Sequence, residues 1–303
     1  MNNEPAGAAG AEPVRRTSEI EDVTNLYFIH PISAQLVKLF ARLGVSPNTV
    51  SIGGMACGVL AGVAYSGYHE RWCAVAGFAL MLSWHILDGA DGQLARLTKS
   101  YSDLGKVLDG ICDYVTFAAV YVGLALTLSR DHGGWVWWLV AASGICHALQ
   151  SAAYEMQRQE YNFWGWGRKS AALPELQAPP RRRGVSFMQR LPDMIHRRYT
   201  RMQMLVAGDA LAFHKTLAKI LAARPASDAL IRQRYRAAFA PAVRQWAILS
   251  ANYRTLAIAA AALLQVPLFY FVFEIAGLGL ILIALLAKQR ARYRQFLEEL
   301  GEV

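Results

Sequence analysis

The chain has 303 residues, 54% of them hydrophobic and 17% charged, with a formal net charge of +9. A soluble domain carries about a quarter of its residues as charges. Here the apolar residues gather in blocks close to the roughly 20 residues that cross a bilayer as helix, which excludes an ordinary soluble globule. The Lys and Arg residues lie between and beyond those blocks, so membrane topology accounts for the charge and no nucleic-acid partner is expected.

In chain order, residues 1–16 are rich in Ala, Gly and Pro and read as a disordered tail, with no apolar run long enough for a signal peptide. Over residues 17–45, Ile32, Leu36, Leu39, Phe40 and Leu43 recur at helical spacing, with Gln35, Lys38 and Arg42 on other faces. This pattern predicts an amphipathic helix on the membrane surface, stopped by Gly44. Residues 46–158 then hold four predicted spans: Thr49 to Tyr68, Trp72 to Leu87, Lys106 to Leu128 and Trp135 to Tyr154. Residues 245–303 hold two more, Ala247 to Val266 and Leu268 to Leu286, with a tight turn at Val266-Pro267 and a basic tail. The expected fold is all-α, a six-transmembrane-helix bundle.

Lys and Arg fall almost wholly on one side of such a bundle, which the positive-inside rule makes cytoplasmic, together with both termini. An integral, multi-pass protein of a bacterial inner membrane is expected. Cys57, Cys73, Cys112 and Cys146 form no CxxC pair and read as small buried hydrophobes.

Between the fourth and fifth spans lies an insert, residues 159–244. From Arg158 to Arg244 there are 17 Lys or Arg against five Asp or Glu. It opens with Tyr161, Phe163, Trp164 and Trp166, continues through Pro179-Pro180-Arg181-Arg182-Arg183, and shows helical patterns near Phe187 and from Ser227 to Phe239. Two readings stand: a segment lying on anionic lipid headgroups with its aromatics at the interface, or a solvated basic loop.

The chemistry is concentrated in Asp88-Gly89-Ala90-Asp91-Gly92-Gln93-Leu94-Ala95-Arg96, followed by Gly105, Asp109 and Asp113. Asp88 and Asp91 are three apart and Asp109 and Asp113 four apart, so each pair shares a helix face. The short connection between the helices lets four carboxylates converge at the membrane boundary. Four such charges repel one another and are costly to desolvate unless cations sit among them. All-oxygen donor sets of this type suit Mg²⁺ or Mn²⁺, and two ions could clamp a diphosphate. A cation pathway through a transporter is the competing reading, but it gives no reason for the glycines and arginine at these offsets.

The stretch resembles the signature DxxDGxxARx8Gx3Dx3D of the CDP-alcohol phosphotransferase family, and every defined position is met. The resemblance extends to the six-span layout, the surface helix and Pro47-Asn48-Thr49 at the first span, but not to the insert. It implies transfer of a phosphate-linked, phosphatidyl-type group from a CDP-linked donor such as CDP-diacylglycerol to an alcohol acceptor, with release of CMP. It further implies that Asp88, Asp91, Asp109 and Asp113 hold metal, that Asp113 is also the catalytic base, and that Gly92, Ala95, Arg96 and Gly105 line the nucleotide pocket. A homodimer is implied too. Within the family, a soluble CDP-alcohol with a lipid acceptor is the alternative.

For the acceptor, His147, Gln150, Ser151, Tyr154 and Arg158 share one face of the fourth span, and Arg254 lies deep in the fifth. A buried guanidinium is expensive without an anion. His147, Arg158 and Arg254 are therefore expected to form an acceptor pocket, with inositol phosphate or glycerol phosphate as the acceptor, unless these residues merely bond helix to helix.

Overall fold

The computed structural model describes residues 18–100, 103–168, 171 and 210–301. The tail at 1–16, the Pro-Pro-Arg-Arg-Arg run and the helical pattern near Phe187 lie outside them. Among the described residues all regular structure is helical. The main helices are α1 (His30–Arg42), α2 (Pro47–Tyr65), α3 (Arg71–Thr98), α4 (Asp103–His132), α5 (Val136–Glu160), α6 (Ala210–Ala223), α7 (Asp228–Trp246), α8 (Ala251–Leu263) and α9 (Pro267–Gly301). A π-helical turn interrupts α9 over Phe273–Gly277.

Local chemistry sets several boundaries. Ser46 caps α2, its Oγ accepting from the Thr49 N–H at 3.2 Å with Pro47 in the first turn. α3 does not stop at Leu87 but runs on through Asp88, Asp91 and Arg96 to Thr98, capped by Lys99, whose φ of 54° is left-handed. The expected turn before Pro267 is present, with Gln265 at φ 61°.

α2, α3 and α4 form the tightest part of the bundle, and glycine permits it. A Cβ on Gly58 would collide with Thr116 of α4, and Gly62 and Gly123 meet backbone to backbone. In lipid, where apolar surface alone gives helices no reason to associate, this close van der Waals approach is what binds them. Tyr65, Met81, Trp84, Leu124 and Phe271 complete the buried core of that half.

Among the described residues four helices are long and apolar enough to cross a membrane: Pro47–Tyr65, Arg71–Thr98, Leu108–His132 and Pro267–Gly301. That is the profile of an integral membrane protein. α5 has the length but carries Gln150, Glu155, Gln157 and Arg158 along it, and α8 has only 13 residues. Trp72, Trp135 and Trp138 stand exposed at the end of the bundle opposite the motif, as an aromatic belt would. At that end His69 Nε2 meets Asp131 at 2.9 Å, and Gln265 donates to the Tyr68 carbonyl at 2.6 Å.

At the motif end, α6, α7 and the ends of α5 and α9 build a second core from Tyr161, Trp164, Phe213, Tyr235, Phe239, Tyr293 and Phe296. Of the opening aromatics of the insert, for which a lipid interface and a solvated loop were the two readings, Tyr161 and Trp164 are buried in protein. Ring-on-ring packing explains the difference: Phe213 stacks on Tyr293 at 4.1 Å and Tyr235 on Phe239 at 4.2 Å. Within this core Glu160 accepts from the Tyr293 hydroxyl and lies 3.3 Å from His214 Nε2.

Residues 18–29 form a strap across this end. Tyr161 donates its hydroxyl proton to Glu19, while burial and that carboxylate push the phenol's pKa up and keep it a donor. Arg244 donates to the Glu19 carbonyl at 2.7 Å, Ser250 to Asp22 at 3.0 Å, and Asn252 to Thr24 at 2.7 Å. α1 follows, burying Ser33 and Val37 while Ile32, Leu39 and Leu43 stay exposed.

Candidate active site

The motif helices are placed by their neighbours before any carboxylate is considered. Gly89 lets α1 approach α3 so closely that a Cβ there would lie 2.8 Å from Ser33 Oγ, and that hydroxyl donates to the Ile86 carbonyl at 2.7 Å. On the other side His85 Nε2 and Thr255 of α8 form a 2.9 Å hydrogen bond one turn before Asp88. The segment bearing Asp88 and Asp91 is thereby held from both flanks.

Asp88, Asp91 and Asp109 each offer a carboxylate oxygen, and these oxygens lie within 4.8 Å of one another. From Trp72 to Asp88 is 16 residues of helix, or about 24 Å, so the cluster sits near the far edge of a hydrocarbon layer of about 30 Å. Asp113 is not within that mutual distance, although all four carboxylates act electrostatically on Cys112 between them. Its Oδ1 is shielded from solvent. Three like charges at this spacing require compensation, and an all-carboxylate donor set suits a hard divalent cation. The residues present fit such an ion.

Sequence reasoning missed Ser51, whose hydroxyl on α2 donates to Asp91 Oδ2. Such a contact fixes a ligand's orientation from behind. Of the expected nucleotide-pocket residues, Gly92, Ala95, Arg96 and Gly105 are all partly exposed. Gly92 and Arg96 come together: a Cβ on Gly92 would lie 3.5 Å from the Arg96 guanidinium, so the absent side chain leaves that group its room.

The expected acceptor residues do not form one pocket. Arg254, 1% exposed, donates to Glu274 at 3.0 Å, to Gln150 at 2.7 Å and to the Leu249 carbonyl. The anion that its burial demands is supplied by Glu274 of the chain itself, the helix-to-helix alternative to an acceptor phosphate. Glu274 also accepts from Tyr270 at 2.7 Å. Because Tyr270 donates its proton there, the 2.9 Å contact between Tyr121 and Tyr270 takes its proton from Tyr121. His147 Nδ1 then donates to Tyr121 at 3.0 Å, and the expected acceptor histidine closes a buried chain. Arg158 is likewise engaged, with Glu155 at 3.1 Å and Glu21 at 3.7 Å. Between this network and the aspartates lies Phe117, one turn from Asp113 and edge-on to Trp84 and His147.

Fold and site together define an integral membrane protein with a carboxylate cluster of metal-binding type at one end of its bundle. Residues 44–174 match the family model for CDP-alcohol phosphatidyltransferase, a family whose enzymes transfer substituted phosphate groups. Among similar proteins, an uncharacterised class-I family protein of Dictyostelium discoideum is 32% identical over 98 residues, 29% of this chain and 24% of that protein. The inner membrane protein YnjF of Escherichia coli (strain K12) is 28% identical over 139 residues, 44% of this chain and 65% of its own. Phosphatidylinositol phosphate synthase of Mycobacteroides abscessus is 33% identical over 125 residues, 38% of this chain and 50% of its own. The chain thus spans less than two thirds of the length of each of these relatives.

Proposed function

We propose that this chain is a metal-dependent enzyme of phospholipid synthesis, moving a phosphatidyl-type group from a CDP-linked donor to an alcohol and releasing CMP. The observation that carries this reading is the convergence of Asp88, Asp91 and Asp109 within the matched segment. Mg²⁺ or Mn²⁺, as two ions, would neutralise this cluster and draw charge from the donor's diphosphate. Asp88, Asp91 and Asp109 are the ligands in this reading, with Asp113 joining them and accepting the acceptor's hydroxyl proton as the bond to phosphorus forms. Gly92 and Gly105 leave space for the nucleotide, Ala95 stays small beside it, and Arg96 faces its phosphates.

The membrane arrangement proposed is six spans, with α5 and α8 completing the bundle. The 25 residues of α5 cover about 37 Å, and its polar Gln150 is buried against Glu274 rather than offered to lipid. Both termini and the motif face the cytoplasm, α1 lies on that membrane surface, and the insert-end module meets anionic headgroups. A homodimer belongs to the same reading. Inositol phosphate heads the acceptors to be tried, on the strength of the mycobacterial relative rather than of Arg158 or Arg254.

The test is CMP release by the purified protein from CDP-diacylglycerol with inositol phosphate, glycerol phosphate, inositol and serine, the product identified by mass spectrometry. EDTA abolishes release and Mg²⁺ or Mn²⁺ restores it. Full activity after exhaustive chelation would sink the metal reading, and ion flux in liposomes without CMP would establish the transporter instead.

A further inference from the structure

Where α7 passes α9, a cleft of about 800 Å³ opens between them. Arg234, Ala237 and Ala238 line one wall, at the offsets of three and four that share a helix face. Arg292, Gln295, Phe296 and Glu299 line the other, again on one face. The floor is apolar, with Phe296 2% exposed. The rim is cationic.

Several other arginines are already engaged within the chain. Arg232 is paired with Asp228 at 2.7 Å, Arg224 donates to the Leu300 carbonyl at 3.0 Å, and Arg254 is held by Glu274. Among the described residues neither Arg234 nor Arg292 pairs with a carboxylate. Glu299, the acid in the cleft, accepts from Gln295 at 2.9 Å instead. Depth adds a second constraint. Counting about 1.5 Å per residue from Pro267, α9 leaves a hydrocarbon layer of about 30 Å near Ala287, one residue before Lys288. Arg292 then lies about 8 Å further out, in the headgroup layer.

We propose that this cleft binds the headgroup of an anionic membrane lipid, with both guanidinium groups on its phosphodiester oxygens. The apolar floor of Phe296, Ala237 and Ala238 takes the adjoining glycerol backbone. Planar guanidinium donors suit phosphate oxygens better than a point charge does. Gln295 and Glu299 at the end of the cleft offer acceptors to a hydroxyl on the headgroup. The apolar floor selects a lipid over free phosphate, which has nothing to place there. None of these residues belongs to the aspartate site, so the inference stands or falls apart from the proposed reaction.

The experiment titrates the full-length protein in detergent with dihexanoyl phosphatidylglycerol, dihexanoyl phosphatidylcholine and inorganic phosphate, read by calorimetry. Phosphatidylglycerol should bind at least tenfold more tightly than either of the others. The Arg234→Gln/Arg292→Gln double variant should lose at least tenfold of that affinity while keeping its thermal unfolding temperature. Ala238→Glu, which adds a like charge to the floor, should weaken binding in the same way should the double variant prove unstable. Equal affinity for the two lipids, phosphate binding as tightly as phosphatidylglycerol, or unchanged affinity in the variants would overturn the proposal.

Discussion

Replacing Glu274 with Gln tests whether Arg254 is held by the protein or waits for a substrate. The change keeps size and an acceptor for Tyr270 but deletes the only carboxylate bonded to Arg254 among the described residues, where both side chains are 0% exposed. Removing one partner of a buried pair leaves the other charge uncompensated, at a cost of about 3–5 kcal/mol. Glu155→Gln is the matched control: its carboxylate meets Arg158 at 3.1 Å but is 39% exposed, so its loss costs about 1 kcal/mol or less. Unfolding in mixed micelles by added sodium dodecyl sulfate reads both. An Arg254→Met/Glu274→Leu double variant should recover part of the loss, because it removes both charges and strands only the neutral groups Gln150, Tyr270 and the Leu249 carbonyl, at about 1–3 kcal/mol each. Two results would refute the reasoning: equal destabilisation by Glu274→Gln and Glu155→Gln, or unchanged stability with a raised acceptor KM alone. The second would return Arg254 to the substrate.

Gly123→Leu should prevent assembly of the α2–α4 pair, since even a Cβ there meets the Gly62 carbonyl, whereas Gly144→Leu, facing open space, should leave the detergent melting temperature within about 2 °C. A normal melting temperature for the first would show that the close approach is not needed. Ser51→Ala should raise the Mg²⁺ concentration for half-maximal CMP release about 10- to 100-fold, by loosening Asp91; an unchanged metal requirement would make that contact incidental. Single cysteines at Ser100 and Gly134 in a cysteine-free variant should label from opposite sides of the membrane, and labelling of both from one side would break the six-span arrangement.

The acid motif was legible because its spacing is helical: offsets of three and four survive folding unchanged, and they deliver Asp88, Asp91 and Asp109 to one place. Asp113 shares α4 with Asp109, yet distances across a helix pair depend on crossing geometry that spacing does not encode. The polar face of α5 was also readable, but its purpose was not. Arg254 and His147 were noticed, while Glu274, 20 residues beyond Arg254 in an apolar run, was passed over. An acid at that depth is itself the signal for a partner, and pairing it with Arg254 would have shown both to be internally matched. The aromatic opening of the insert was ambiguous for a different reason. Trp and Tyr mark a membrane interface and a protein core equally well, and only the later Phe213, Tyr235 and Tyr293 decide which. Ser51 carried no local signal at all, since its meaning lies 40 residues away on another helix.

The strap of residues 18–29 has a consequence for biogenesis. Its partners Arg244, Ser250 and Asn252 follow it by 225–228 residues. During synthesis at about 5–20 residues per second, the strap is therefore complete roughly 10–45 s before these three partners exist. Of the strap's partners in the second half of the chain, only Arg158, which meets Glu21, and Tyr161, which donates to Glu19, are made earlier. Docking of the strap is then completed late, after α8 has been synthesised, and it fastens the earliest described residues onto nearly the last helices made. Truncation before residue 244 would leave the α3–α4 hairpin without the strap contacts of Arg244, Ser250 and Asn252, so protease sensitivity near residue 20 should report how far the chain has been completed.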